Sequence, residues 1–168
     1  IRVELVTGSQ TCALQISNDN QDIPTGKTVY VDAENGSDTE GDGTQASPFK
    51  TLDRATSYAQ EGDTIQLESG SYYTNTTFDK RILNFNGASD RSTELYGFYI
   101  LFDGRKTISG ITFSPIYGVF THDSLILQNC TFKSDNLIAD VILNADEELQ
   151  LNNVLFTAGN TNSAKYRK

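Results

Sequence analysis

The sequence predicts an all-β fold, a right-handed parallel β-helix of about six coils with one N-terminal capping helix at about residues 48–60. Three observations predict it. A six-residue motif recurs at offsets of 19 and 24 residues in the second half of the chain. Only one segment has helical periodicity, and from Asp63 onwards short strand-like runs alternate with Gly, Asn, Asp and Ser.

The recurring motif occupies Ile108–Phe113, Leu127–Phe132 and Leu151–Phe156. Weaker copies lie at 64–70, 82–87 and around 96–102. One such unit cannot bury its own apolar side chains, so successive units must stack. Stacking puts Ile111, Cys130 and Val154 in one interior column, Phe113, Phe132 and Phe156 in a second with stacked rings, and Gly110, Asn129 and Asn153 at a sharp bend. An up-and-down β-sandwich also has short strands at regular spacing and is the rival fold.

The chain before this repeat divides into two parts. Residues 1–27 form an N-terminal strand segment with two strand-like runs, Ile1–Val6 and Cys12–Ile16, and we expect a role for it in assembly. Residues 28–168 form the β-helix domain, opening with a strand at Thr28–Asp32 and a turn-rich loop at 34–44.

A single helix follows that loop. Ser47 is its expected N-cap and Pro48 its first residue, because proline loses no hydrogen bond there. Gly62 is the expected stop. The apolar stripe that faces the coil consists of Phe49, Leu52, Ala55 and Ala59.

This part of the chain, from Val29 to about Tyr73, resembles the opening of pectate-lyase-like proteins of the pectin-lyase superfamily. The matching segments are Tyr30–Asp32, Asn35–Asp38, Gly41–Thr44, Ser47–Leu52, Gly62–Ile65 and Gly70–Tyr72. The resemblance implies that the helix after Pro48 caps the N-terminal end of the coil and that Asp63–Ile65 begins the first rung. It says little about chemistry, because similar openings occur in polysaccharide lyases, glycoside hydrolases, viral tailspikes and non-enzymatic surface proteins.

Charge and composition limit the partners. The net charge is −9 over 168 residues, so nucleic acid and anionic membrane surfaces are unfavourable partners. No apolar run reaches the roughly 18 residues of a membrane span. The acidic, Thr/Asn/Gly-rich composition and the sequons indicate a secreted glycoprotein, with Asn35 and Asn75 as candidate N-glycosylation sites. We expect the third sequon residue, Asn129, to be buried in the bend and therefore not glycosylated.

The two cysteines, Cys12 and Cys130, either form one bridge or are both buried thiols.

Asp38, Glu40 and Asp42 resemble the start of a calcium loop, but Phe49 stands where an EF-hand needs its bidentate Glu. We therefore expect no cofactor and no dedicated metal site, although adventitious Ca²⁺ near these carboxylates stays open.

Catalytic motifs are missing as well. The basic residues form no lyase signature, and no pair of aspartates is shown to share a face as glycosidase chemistry requires. We therefore predict a non-catalytic extracellular structural or adhesive module in a head-to-tail homo-oligomeric fibre, coat or sheath. The alternative is a carbohydrate-active enzyme or carbohydrate-binding module with polysaccharide as its partner, and its candidate saccharide face consists of Tyr96, Tyr99, Asp103, Arg105, Lys106, Tyr117 and Asp123.

Overall fold

The structure is a computed structural model that describes residues 26–74, 77–78, 83–97, 99–102, 104–114, 118–121, 123–134, 142–145 and 148–158. Its strands form three parallel sheets. The first contains β1 (Thr28–Val31), β2 (Thr64–Leu67), β5 (Leu83–Asn86), β8 (Lys106–Ser109), β11 (Leu125–Gln128) and β14 (Leu149–Asn152). The second contains β3 (Gly70–Tyr73), β6 (Thr93–Tyr96), β9 (Ile111–Phe113), β12 (Thr131–Ser134) and β15 (Leu155–Ala158). The third contains β4 (Thr77–Phe78), β7 (Tyr99–Phe102), β10 (Gly118–Thr121) and β13 (Ile142–Ala145).

The chain visits these sheets in rotation, and each strand pairs with the strand one coil before or after it. Every pairing between named strands is parallel. Consecutive strands of a sandwich are mostly antiparallel, so these ladders exclude the rival fold. The all-β parallel β-helix, with six strands in its first sheet, is confirmed.

The interior columns follow from this register. The rings of Phe113 and Phe132 stack at 4.6 Å between centroids, and those of Phe132 and Phe156 at 5.2 Å. Beside the rings, Ile111 and Cys130 are fully buried in the neighbouring column. The repeat therefore predicts the core residue by residue, because one-coil register places equivalent side chains directly above one another.

The capping helix is shorter than predicted. Helix α1 runs from Leu52 to Tyr58 and not over about 48–60, and its N-cap is Thr51 and not Ser47, with the Thr51 hydroxyl accepting from the Arg54 amide at 3.2 Å. Ser47 is held instead in a bridge with Thr44, inside the loop.

The chain before α1 is extended because it pairs with β1. Phe49 bridges Val31, and this parallel pairing takes the Phe49 amide and carbonyl. The carbonyls of Ser47 and Pro48 accept from loop amides instead, so none of these groups is free for a helix. Gly62 does not stop the helix. The helix ends at Tyr58, and its C-cap residue, Ala59, has an extended backbone. The stripe itself is confirmed as core, since Phe49, Leu52, Ala55 and Ala59 are all buried.

The N-terminal end of the coil is therefore covered. Phe49 donates its amide to the Tyr30 carbonyl at 3.0 Å, and Asp32 donates its amide to the Phe49 carbonyl at 2.9 Å. Asp63, which is buried, joins this end to the first full coil by accepting from the amides of Lys27 and Gln60 at 2.9 and 2.8 Å. The bonds of Phe49 occupy the outer edge of β1, the first strand, at its C-terminal half.

Candidate functional site

The opposite end of the coil lacks such a cover among the residues that the structure describes. Leu149 occupies the same inward column as Leu125, yet it is 36% exposed whereas Leu125 is fully buried. The three other inward residues of this last coil are only partly buried, and they are Leu151, Val154 and Phe156. Outside the coil, Leu155 is 48% exposed. Among the described residues, this partly exposed apolar cross-section lies beside the outer edges of β14 and β15, which are the end strands of their sheets.

The bend between the first and second sheets forms a ladder that leads to this end. Gly110, Asn129 and Asn153 have φ values of 69°, 52° and 53°, as the repeat predicts for residues that tolerate left-handed backbone. Asn153 donates its side-chain amide to the Oδ1 of Asn129 at 2.8 Å. The prediction that Asn129 is buried is wrong, because the bend faces outward and leaves it exposed.

Arg91 fastens the outer side of the same bend across several coils. Its carbonyl accepts from the Thr112 hydroxyl at 3.0 Å. Its guanidinium donates to the Thr131 hydroxyl and to the Asn153 carbonyl, both at 3.3 Å. The last coil is therefore held to the body of the helix from outside as well as by its ladders.

The described members of the predicted saccharide face lie on different sheets. Tyr96 ends a strand of the second sheet, whereas Arg105 and Asp123 precede strands of the first sheet. Arg105 is exposed, and the half-buried Asp123 accepts from the Ser124 amide at 2.6 Å. Tyr99 lies on β7 in the third sheet, and Asp103 and Tyr117 lie outside the described residues.

Lys106 does not belong to any solvent-facing surface. It is fully buried, because its position in β8 is the inward one that Leu83 and Leu125 occupy in the neighbouring coils. Its ammonium lies 3.4 Å from the Arg105 carbonyl, which accepts from it. Alternate residues of a strand point to opposite faces of the sheet. The position of Lys106 in β8 therefore turns its side chain inward despite its charge.

A tyrosine pair on the second sheet was missed by the sequence reasoning. Tyr73 and Tyr96 are in register on β3 and β6, their ring centroids are 5.4 Å apart, and they are 55% and 39% exposed. Beside them the Ser71 hydroxyl donates to Glu94 at 3.4 Å, and Lys133 forms an ion pair with Glu94 at 3.7 Å. The alternation of Ser71, Tyr72 and Tyr73 was the available signal, since it puts Tyr72 inside and Tyr73 outside.

The turn-rich loop at 34–44, called the acidic loop below, uses its carboxylates to bind the residues before α1 and its own backbone. Asp38 accepts from the amides of Lys50 and Thr51 at 2.9 and 3.0 Å, and from the Thr51 hydroxyl at 2.8 Å. Burial acts to raise the pKa of Asp38, but the Thr51 and Lys50 bonds outweigh it and lower the pKa below its ordinary value. Bonds from Thr44 likewise lower the pKa of Asp42.

Metal and membrane features can be stated for the described residues alone. No group of three or more His, Cys, Asp or Glu side chains that could hold a metal ion occurs within those ranges, which include Asp38, Glu40 and Asp42. Over the same residues, no helix has the length and apolarity needed to cross a membrane.

The predicted modification sites differ in their surroundings. Asn35 is exposed in the loop, with its amide nitrogen 3.1 Å from the Asp32 carboxylate, and Asn75 lies outside the described residues.

Cys130 is a free, buried thiol, and Cys12 lies outside the described residues. Burial raises the pKa of Cys130, which keeps it a protonated and unreactive thiol at neutral pH.

Fold and surfaces together define a parallel β-helix with one covered end and one apolar end. A family described as "Protein of unknown function (DUF1565)", which is associated with β-helix proteins, matches residues 34–83, less than a third of the chain. The match spans the acidic loop, the capping helix and the first full coil. No curated protein and no solved structure matched the chain.

Proposed function

We propose that this chain is a non-catalytic structural or adhesive β-helix module that self-associates head to tail, in an extracellular fibre, coat or sheath. The observation that carries the proposal is the exposure of inward-column residues at the last coil, above all Leu149 at 36%. The side chains equivalent to buried ones in the earlier coils reach solvent here, beside strand edges that have no partner within the described part of the chain. Such edges and apolar surfaces favour association with another chain.

The difference between the two ends supports a directional contact. The cap covers β1 with the Phe49 bridge and with α1, so two copies cannot simply stack their end strands. A partner must reach the last coil with some other part of its chain. The strand-like N-terminal segment, 1–27, is the part of the sequence that we assign to this task.

Self-association is tested by sedimentation equilibrium of the chain over a hundredfold range of concentration. Leu149→Lys puts a charge on the exposed apolar end and should weaken association at least tenfold. Ser71→Lys, on an exposed strand position of the first full coil, is the matched control and should associate like the parent. Equal association of parent and Leu149→Lys would contradict the proposal.

The extracellular location is part of the same proposal. It is supported by the acidic composition and by the exposed sequon at Asn35. Expression through a eukaryotic secretory route, followed by mass measurement before and after glycosidase treatment, checks the acceptor. An Asn35→Gln variant should lose one glycan if this residue is used, and the absence of any glycan on the secreted parent would remove this support.

A second candidate function is saccharide binding by the exposed pair Tyr73 and Tyr96. Aromatic faces pack on the apolar faces of sugar rings, while Ser71, Glu94 and Lys133 offer hydrogen-bonding groups at the edge. Affinity electrophoresis through gels that contain soluble polysaccharides tests it. Tyr96→Ala should abolish any retardation that the parent shows, whereas Tyr58→Ala, another exposed tyrosine, should not.

A further inference from the structure

The register of the first sheet indicates which sequence a strand added at the outer edge of β14 should have. Within the described residues, no strand pairs with that edge. In the first sheet, Leu127 lies over Leu151 and Leu125 over Leu149, and Asn129 follows the strand as Asn153 does one coil later. The rung pattern is thus an aliphatic residue, any residue, a second aliphatic residue, any residue, and Asn. A strand that pairs with β14 should repeat it, since inward side chains stack and the Asn amides form a ladder.

With Leu, Ile or Val as the aliphatic residues, the pattern occurs once more in the chain. Leu14-Gln15-Ile16-Ser17-Asn18 repeats Leu149-Gln150-Leu151-Asn152-Asn153, with three of five residues identical. The likeness ends at Asn18, because Asp19 stands where Val154 begins the second sheet. The segment therefore has the pattern of one strand of the first sheet and not of a whole coil.

We infer that residues 14–18 of a second copy pair in parallel with β14 and add a seventh strand to the first sheet. This inference rests on the proposed head-to-tail assembly and replaces its unspecified N-terminal contact by one segment. Leu14 then covers Leu149, Ile16 covers Leu151, and Asn18 donates its amide to Asn153. The added strand supplies backbone partners to the β14 edge while apolar side chains cover the exposed end.

The length of the chain requires that this segment come from another copy. A strand beyond β14 lies six inter-strand spacings from β1, about 29 Å along the coil axis. Gly26 is fixed at the first coils, where its amide donates to the Gly62 carbonyl at 3.2 Å. In this register Asn18 lies level with the end of β1, so a further 17 Å or so separates it from Gly26 along the strand direction.

These two displacements together exceed 30 Å, as estimated from strand spacing and rise. Eight residues from Asn18 to Gly26 span at most about 28 Å when fully extended. The segment cannot reach the last coil of its own molecule. The same covalent limit does not apply to the last coil of a neighbour, and repetition of the contact builds a chain of copies with one direction.

Disulfide trapping tests the register. All proteins carry Cys12→Ser, and one population carries Gln15→Cys while the other carries Gln150→Cys; Gln150 is exposed on β14 and in register with Gln15 in the inferred pair. Parallel neighbours in register lie within the Cα separation that a disulfide accepts. Mild oxidation of the mixture should give a covalent species of twice the 18.5 kDa chain mass.

Two pairings serve as controls. Thr107→Cys also points outward from the first sheet but has strands on both sides, so Gln15→Cys should not trap it. Glu4→Cys with Gln150→Cys tests the other strand-like run, Ile1–Val6. Trapping at residue 15 alone supports the inference, whereas trapping at residue 4 alone overturns it and leaves head-to-tail assembly standing.

Three other outcomes would contradict the inference, the proposed function or both. A parent chain that stays monomeric at all concentrations overturns both this inference and the proposed function. Association of the parent without trapping at residue 15 overturns the inference alone. A double variant with both cysteines that closes within one chain at high dilution shows that the segment reaches its own last coil, which contradicts assembly by this contact.

Discussion

The two ends of this coil differ in how their end strands and apolar interior are covered. At the N-terminal end, Phe49 continues the ladder over β1 as a bridge, helix α1 covers the column behind it, and carboxylates of the acidic loop hold the cover in place. At the C-terminal end, the described ladders of strands, Phe rings and Asn amides reach a last coil whose inward residues are partly exposed. A β-helix has no inherent terminus, so the difference teaches that its boundaries must be made by other parts of the chain or by partners.

The largest contrast between coil centre and coil end should appear in the ring stack. Phe132 is buried between two rings, whereas Phe156 has a ring on one face and is only partly buried. Phe132→Ala should lower the free energy of unfolding by about 3–5 kcal/mol and Phe156→Ala by less than half of that, because the end can relax. Urea denaturation at a concentration where the chain is monomeric measures both, and equal losses would mean that the last coil is packed as tightly as the centre.

The next effect concerns the cover of the N-terminal end. Asp38 ties the loop to the start of α1 through Lys50 and Thr51. Asp38→Ala should cost about 2 kcal/mol, since hydrogen bonds to a charged acceptor are lost at once. Glu40→Ala in the same loop is the control, because Glu40 is exposed, and thermal unfolding should separate the two variants. A neutral Asp38→Ala would show that the loop does not hold the cap.

Acid should weaken the same cover. The pKa values of Asp32 and Asp38 are lowered in the folded chain, the first chiefly by the Asn35 amide and the second by bonds that outweigh its burial. Their contribution to stability is therefore complete above the ordinary carboxyl pKa of 3.8 and is lost as the pH falls through the lowered folded values. The melting temperature should be flat from pH 7 to about pH 5 and fall below about pH 4. Asp38→Asn should make that fall shallower, and an unchanged slope would contradict this account.

The smallest effect should come from the Asn ladder. Both Asn129 and Asn153 hold positive φ, so alanine at either position costs about 1–2 kcal/mol of backbone strain. Glycine removes the strain and leaves only the loss of the amide bond between them. We expect Asn153→Gly to change the stability of the monomer by less than about 0.5 kcal/mol. It should nevertheless weaken association, because the inferred contact extends the ladder from Asn153 to Asn18 of a second copy. Association that is unchanged in Asn153→Gly would mean that the ladder ends here.

The coil itself could be predicted from the sequence because its repeat is one-dimensional. Once Phe113, Phe132 and Phe156 are aligned, the register of the neighbouring columns follows. The start of α1 could not be predicted, because the segment that ends at Phe49 has a plausible cap and proline for a helix and is extended by its bonds to the loop and to β1. Tertiary pairing overrides a local signal of this kind.

The candidate surfaces were harder to predict than the core. Lys106 was assigned to the surface for its charge, yet its strand position faces inward. The alternation around Tyr73 predicts that it points outward, but its pairing with Tyr96 one coil away follows only from the register of β3 and β6. Residue type predicts exposure poorly in this fold, and position in the strand predicts it well.

The measurement that tests the central claim most directly is sedimentation equilibrium of the unmodified chain, beside Leu149→Lys, from micromolar to near-millimolar concentration. Head-to-tail assembly predicts an average mass that rises above 18.5 kDa with concentration for the parent. For Leu149→Lys the same rise should need at least tenfold higher concentrations. A parent that sediments at 18.5 kDa throughout, with circular dichroism showing the β fold intact, would contradict head-to-tail assembly.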